Sequence, residues 1–302
     1  MPAPYLAAHA LLFLGSLGCG AWLRRRSPRA TAVSGGLLLC LGLPVQLFVL
    51  SQPRLLAALV PWPDLFFFHD LLVHFAGFLA GAALAGAEGR GGRARAAALS
   101  LAILACAGVE ARRVALAPPP VPAPSGGQEP ARLRPGEPFV LRQSQPATCA
   151  PAAAATLLRA LGLAPQATEA GLARLCFTDP LRGTHDLGLF RGLSLSAPTH
   201  RVRFARLLLD DLLARRRPCL VFVGLSRARA KDERLFAYLR DRCNWREDEV
   251  HAVVFFGTEP SPGTAPNGPP RVVIGDPNYG VERWGLDHFS VLWDGWALLV
   301  DP

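Results

Sequence analysis

Pro118-Pro-Pro-Val-Pro-Ala-Pro-Ser-Gly-Gly127 can sustain neither a helix nor a central strand, and it divides the chain into two halves of different character. Proline at this density reads as a semi-rigid polyproline spacer, here residues 118–138. Before it, residues 1–117 are dominated by apolar runs; after it, residues 139–302 alternate apolar and polar segments as a globular domain does.

Four apolar segments occupy the first half: about Tyr5 to Leu23, Thr31 to Leu50, Leu65 to Gly86 and Ala94 to Ala117. Each is near the length needed to cross a bilayer, so the expectation is an all-α region of four transmembrane helices embedded in a lipid bilayer. Arg24, Arg25, Arg26 and Arg29 follow the first segment, and Arg90, Arg93 and Arg95 lie between the third and fourth. Excess arginine in short loops marks the cytoplasmic side, which places the second half extracytoplasmic, at the cell membrane. Arg112 and Arg113 near the last exit argue the other way. In the third segment His69, Asp70 and His74 put ionisable groups at the expected membrane boundary, with a structural hydrogen bond as the simpler role.

The formal charge of +9 comes almost wholly from arginine, with Lys231 as the one lysine. No basic stripe with interleaved aromatics accompanies it, so the charge does not indicate a nucleic-acid partner. Seven cysteines spread over the chain without paired spacing do not form a disulfide scaffold. Cys176, Cys219 and Cys243 share the second half with Cys149, which leaves one structural disulfide among them open. Metal-ligand spacing of the His-Glu-x-x-His or Cys-x-x-Cys kind is missing, so neither a metal nor another cofactor is expected.

The second half reads as helices first and an apolar antiparallel sheet second, an α+β plan. Helices are expected after Cys149, at Thr168 to Cys176 and at Val202 to Arg215. Strands are expected at Cys219 to Leu225, Val250 to Gly257, Arg271 to Ile274 and Trp296 to Val300. Ala228 to Cys243 reads as an inserted charged helix, a candidate lid.

Chemistry concentrates at four positions. Cys149 opens a helix, with Pro151 in the first turn, where a missing N–H costs no intrahelical bond. A thiol there meets unpaired amides and the positive end of the helix dipole, which favour the thiolate. His251 opens the strand His-Ala-Val-Val-Phe-Phe-Gly, and Asp276 stands in Ile-Gly-Asp-Pro-Asn-Tyr-Gly just past the next one. Adjacent antiparallel strands would set these two side by side as general base and orienting acid. Gln143, six residues before Cys149, offers an amide that can donate to an oxyanion. Of the other histidines, His185 reads as a helix cap or surface group, and His200 and His288 as surface groups.

Gln143 with Cys149, His251 with its apolar strand, and Asp276-Pro277 followed by Gly280 resemble the double-glycine, bacteriocin-processing cysteine peptidase family. Leu161-Gly162, Asp179-Pro180, Gly183-Thr184, Leu189, Phe289, Trp293 and Gly295 stand in that family's order as well. The resemblance covers about Phe139 to Val300. It implies a papain-like cysteine peptidase domain with Cys149 as nucleophile, His251 as base, Asp276 as its orienting acid and Gln143 in the oxyanion hole. The substrates it implies are peptides or proteins, often leader peptides cleaved after Gly-Gly. This chain departs from the family in Ala150, where glycine is usual, and in long stretches from Gly224 to His251 and from Gly257 to Arg271. A non-catalytic peptide-binding domain and an amidase or transpeptidase using the same triad are the alternative readings. Oligomeric state leaves no mark in the sequence.

Overall fold

The computed structural model describes residues 3–27, 52–63, 92, 136–230, 232–247, 249–261 and 269–302, the side chains of 3–14 excepted. The chain divides into two compact units, Met1–Leu56 with Asp64–Ala117, and Ala57–Pro63 with Pro118–Pro302.

The first apolar segment forms helix α1, Ala3–Arg26, and a short helix α2 covers Pro53–Leu59. The four-helix transmembrane expectation is corrected here: among the described residues no helix is long and apolar enough to cross a membrane. In α1 the leucines are interspersed with Gly15, Ser16, Gly18 and Gly20, and the helix ends on Arg24, Arg25 and Arg26, which shortens its apolar stretch. The second, third and fourth segments, with His69, Asp70 and His74, lie outside the described residues, as does nearly all of the proline-rich spacer.

The second half opens with three helices, α3 (Cys149–Ala160), α4 (Glu169–Leu175) and α5 (Asp186–Ser196). Strand β1 (Arg201–Arg206), helix α6 (Leu209–Leu213) and strand β2 (Cys219–Val223) follow. Helix α7 (Glu233–Asp241) then precedes β3 (His251–Glu259), β4 (Arg271–Asp276) and β5 (Gly280–Gly285). Helix α8 (Leu286–Leu292) and strand β6 (Trp293–Asp301) complete the order. The six strands form one sheet in the order β1-β6-β2-β3-β4-β5, with every neighbouring pair antiparallel.

Successive strand residues point to opposite faces, and both faces of this sheet are covered. On one face Val221, Val223, Val253, Phe255, Val272, Ile274, Ala297 and Leu299 form a core with Leu212 of α6, Phe236 and Leu239 of α7, and Phe289 and Leu292 of α8. Helix α3 packs against β3 and its neighbours, and touches α4 and α5. It is lined by Ala150 and Ala152 through Ala155, all buried, and these short side chains let the helix lie close to the strands.

Three local expectations change. Val202 to Arg215 is not one helix: its first part is β1, whose Val202 and Phe204 alternate inward and pair with Val300 and Leu298 of β6. Pairing with the long last strand outweighs the helical spacing that Leu207 to Leu213 suggests, and only the short α6 survives. Strand β5 was not expected, and it extends the sheet beyond Asp276. The candidate lid is a fixed element. Phe236 and Leu239 of α7 are fully buried in the core, the Arg227 and Arg240 guanidinium groups lie over the Phe236 ring, and Asp232 caps the helix by accepting from the Arg234 and Leu235 amides.

Candidate active site

His251 and Asp276 meet because the sheet is built to bring them together. His251 precedes Val253 and Phe255 at two-residue spacing, and Asp276 follows Ile274 and Val272 in the same way. Both therefore fall on the face carrying that core, and the β3–β4 ladder makes them neighbours. The His251 Nε2 to Asp276 Oδ1 distance is 2.9 Å, and the side chains are 12% and 2% exposed. Asp276 Oδ1 also accepts from the Asn278 amide at 2.6 Å, so the Asp-Pro-Asn-Tyr turn fixes the carboxylate.

Cys149 stands at the first position of α3 and hydrogen-bonds His251. With Nε2 committed to Asp276, the ring nitrogen left for the sulfur is Nδ1. Thr148 precedes the helix without capping it through its side chain, which instead bonds Gln145. Pro151 has no N–H and the Ala152 amide donates to Thr148 O, so within the first turn it is the Ala150 amide that acts on the sulfur. Burial pushes the Cys149 thiol up, but the hydrogen bond and charge of His251, with the Ala252 and Ala150 amides, outweigh it and hold the thiol below its ordinary 9.0. For His251, burial pulls the imidazole down, while the hydrogen bonds and charges of Asp276 and Cys149 carry it up to about 10. Opposite shifts of this kind favour a thiolate–imidazolium pair.

Gln143 is placed differently. Its backbone N–H donates to Pro277 O at 2.9 Å, which ties it to the Asp276 turn. Its side-chain Nε2 donates to Gln145 O at 2.9 Å and Pro146 O at 3.3 Å, while Oε1 is buried without a partner. The amide is thus engaged by its own loop. Ser144 N donates to Glu169 Oε1 at 2.8 Å, and the buried Glu169 links that loop to α4.

The other candidates are separate from this cluster. His185 caps α5, its Nδ1 accepting from the Leu187 amide at 3.2 Å. His200 bonds Thr199, and His288 lies against Tyr238 with ring centroids 5.5 Å apart. Cys176, Cys219 and Cys243 are free, as is Cys149, so the disulfide left open in the sequence does not form. Burial pushes the Cys176 and Cys219 thiols up to about 12, which makes them inert packing groups. A Cβ at Gly192 would collide with Cys176 Sγ, so that glycine is what lets α5 approach it. Among the described residues no three His, Cys, Asp or Glu side chains are grouped to hold a metal ion.

Sequence reasoning missed three residues beside the site. Glu282 and Trp284 alternate along β5 on the same face as Asp276, and Trp284 Nε1 donates to Glu282 Oε2 at 3.1 Å. Burial pushes the Glu282 carboxyl up and the nearby Asp276 charge adds to this, against Trp284, His251 and Arg142. The period-two placement of both was readable once β5 was recognised. Trp245, whose ring lies 6.3 Å from that of His251, is preceded by no comparable signal.

No family model matches the chain, and no curated protein matches it. Among solved structures it is similar to the peptidase domain of a Streptococcus ComA, a bi-functional ABC transporter involved in a quorum sensing pathway. That match has 22% identity and a TM-score of 0.39, over 55% of this chain and 99% of that one. The peptidase domain of Streptococcus mutans ComA matches at 20% identity and a TM-score of 0.34, over 54% and 98%. A double glycine motif protease from an AMS/PCAT transporter, in complex with the leader peptide, matches at 17% identity and a TM-score of 0.37, over 54% and 90%.

Proposed function

We propose that the second half of the chain is a cysteine peptidase that cleaves peptide bonds through an acyl-enzyme on Cys149. The observation that supports this reading is the 2.9 Å bond between His251 Nε2 and the 2%-exposed Asp276, with Cys149 at a helix start where the hydrogen bond and charge of His251 lower its thiol. A structural histidine has no need of a thiol partner held below its ordinary titration at a helix start.

In this reading the Cys149 thiolate attacks the scissile carbonyl carbon, and the electron pair of the C=O bond moves to oxygen. When the tetrahedral adduct collapses, the proton on His251 Nδ1 goes to the departing amine and the thioester remains. Water, deprotonated by the now neutral imidazole, hydrolyses that thioester and restores the thiolate. Asp276 holds the ring and favours its protonated form. Gln143 is the proposed side-chain donor to the oxyanion, with the Cys149 backbone N–H beside it. The sequence resemblance makes leader peptides with a Gly-Gly pair the first substrates to test.

One observation favours the non-catalytic reading: the Gln143 amide is bonded to Gln145 and Pro146 and not offered to the site. Incubating the purified protein and its Cys149→Ala variant with a Gly-Gly leader peptide separates the two. Wild-type cleavage with trapping of a Cys149 acyl adduct supports the peptidase; binding without cleavage by both proteins supports the peptide-binding module.

A further inference from the structure

The chain between β2 and β3 carries an aromatic side chain to His251 that the triad does not explain. The Trp245 and His251 rings are 6.3 Å apart, centroid to centroid, with planes at 63°, a T-shaped contact. Trp245 also meets Trp284 at 5.8 Å and 88°. Trp284 in turn reaches Phe289 at 6.3 Å, and Phe289 stacks on Trp293 at 6.0 Å. A continuous aromatic column thus runs from the core to the imidazole.

The segment that bears Trp245 is anchored on several sides. The Trp245 N–H donates to Leu239 O at 3.1 Å, which ties it to the end of α7. Glu247 forms a bridge with Leu225, just past β2. Gly224 passes so close to the Glu249 carbonyl that a Cβ there would collide with it. Asn244, in the left-handed region at φ 57°, turns the chain immediately before the tryptophan.

Resting on the peptidase reading, we propose that Trp245 is a positioning residue: its indole fixes the plane of the His251 ring and keeps water from the His251–Asp276 bond. The bonds to Asp276 and Cys149 hold the ring at its two nitrogens and leave it free to rock about the line that joins them. An anchored aromatic wall removes this freedom, and a T-shaped ring pair is itself favourable. Exclusion of water also strengthens the bonds that hold the imidazolium.

The charged and titratable groups facing His251 are Cys149 from α3, Asp276 from β4 and Glu282 from β5, with Arg142 near Glu282. Trp245 carries no charge, so it acts on His251 through burial and geometry alone. Admitting water weakens both the burial that lowers His251 and the bonds that raise it. If the wall protects the bonds to Asp276 and Cys149, removing it moves the titration down; if it adds burial alone, removing it moves the titration up.

The test uses the full chain with Trp245→Ala and Trp245→Phe, reading kcat, KM, the NMR titration of His251 and the pH dependence of Cys149 alkylation. Trp245→Ala should lower kcat on the order of 10-fold to 10²-fold with KM unchanged, and shift the His251 titration to lower pH. Trp245→Phe should restore most of both, since a phenyl ring keeps the edge contact. An unmoved or raised titration in a folded Trp245→Ala protein, or a phenylalanine variant no better than alanine, overturns the proposal. If Trp245→Ala does not fold, Trp245→Leu, which keeps apolar volume without a flat face, carries the same comparison. Titration and alkylation need no turnover. A wild type that titrates as described but cleaves no peptide counts against the peptidase reading and not against the Trp245 contact.

Discussion

His251 and Asp276 stand on adjacent strands inside a six-stranded sheet, whereas Gln143 belongs to a loop whose hydrogen bonds run mostly within itself. The first region is fixed by the core: Val253, Phe255, Val272 and Ile274 beneath it are buried, and neither side chain can leave without disturbing the ladder. In the second region Gln145 O alone accepts from Gln143 Nε2, Thr148 Oγ1 and the Thr148 amide. The Ser144–Glu169 and Gln143–Pro277 bonds tie the loop to α4 and to the Asp276 turn. On the peptidase reading proposed above, the acid–base pair is set before substrate arrives, while Gln143 must release an amide hydrogen from a carbonyl to serve an oxyanion.

The hardest way to break this comparison is at the sulfur that joins the halves. Cys149→Ala should leave the fold intact and lower peptide cleavage about 10³-fold or more, measured by product formation on a Gly-Gly peptide. Gln143→Ala should lower kcat about 10²-fold with KM little changed, because the amide meets the oxyanion only as charge develops. If KM rises and kcat holds, Gln143 is a loop brace and the comparison loses its second half.

Asp276→Asn should cost less in kcat than Gln143→Ala, since an amide can still orient the ring, but it should move the pH profile. Activity needs Cys149 ionised and His251 protonated. It should rise with pH through the lowered thiol titration and fall as pH passes through about 10. Without the Asp276 charge the alkaline limb shifts to lower pH, and a kcat–pH series reads it directly. The smallest effect is expected at Glu169→Gln. A neutral acceptor for the Ser144 amide should cost about 1 kcal/mol by thermal unfolding and loosen the loop while leaving the His251 titration in place.

The helix at Cys149 and the strands at Cys219, His251, Arg271 and Trp296 were legible because their apolar runs are long and bounded by turn residues. Strand β1 was not, because Arg201 to Arg206 gains its strand character from pairing with β6 and from the Arg203–Asp301 ion pair, partners nearly a hundred residues away. The Cys149, His251 and Asp276 positions could be named from helix start, strand start and turn. The ring nitrogen each partner takes could not, nor could the engagement of the Gln143 amide, since both depend on side-chain geometry at the 3 Å scale. Trp245 lies just past Ala228 to Cys243, the charged stretch that reads as a candidate lid, and the burial of Phe236 and Leu239 shows why that stretch is held against the sheet.

The central claim is that the buried His251–Asp276 pair keeps Cys149 as a thiolate, and the pH dependence of Cys149 alkylation tests it most directly. With Cys19, Cys40, Cys106, Cys176, Cys219 and Cys243 replaced by serine or alanine in every protein compared, wild type should react at neutral pH. His251→Ala should react only as pH approaches or exceeds the ordinary thiol value of 9.0, because burial then acts on the sulfur unopposed by the imidazolium. Identical alkylation profiles in the two proteins would contradict the account.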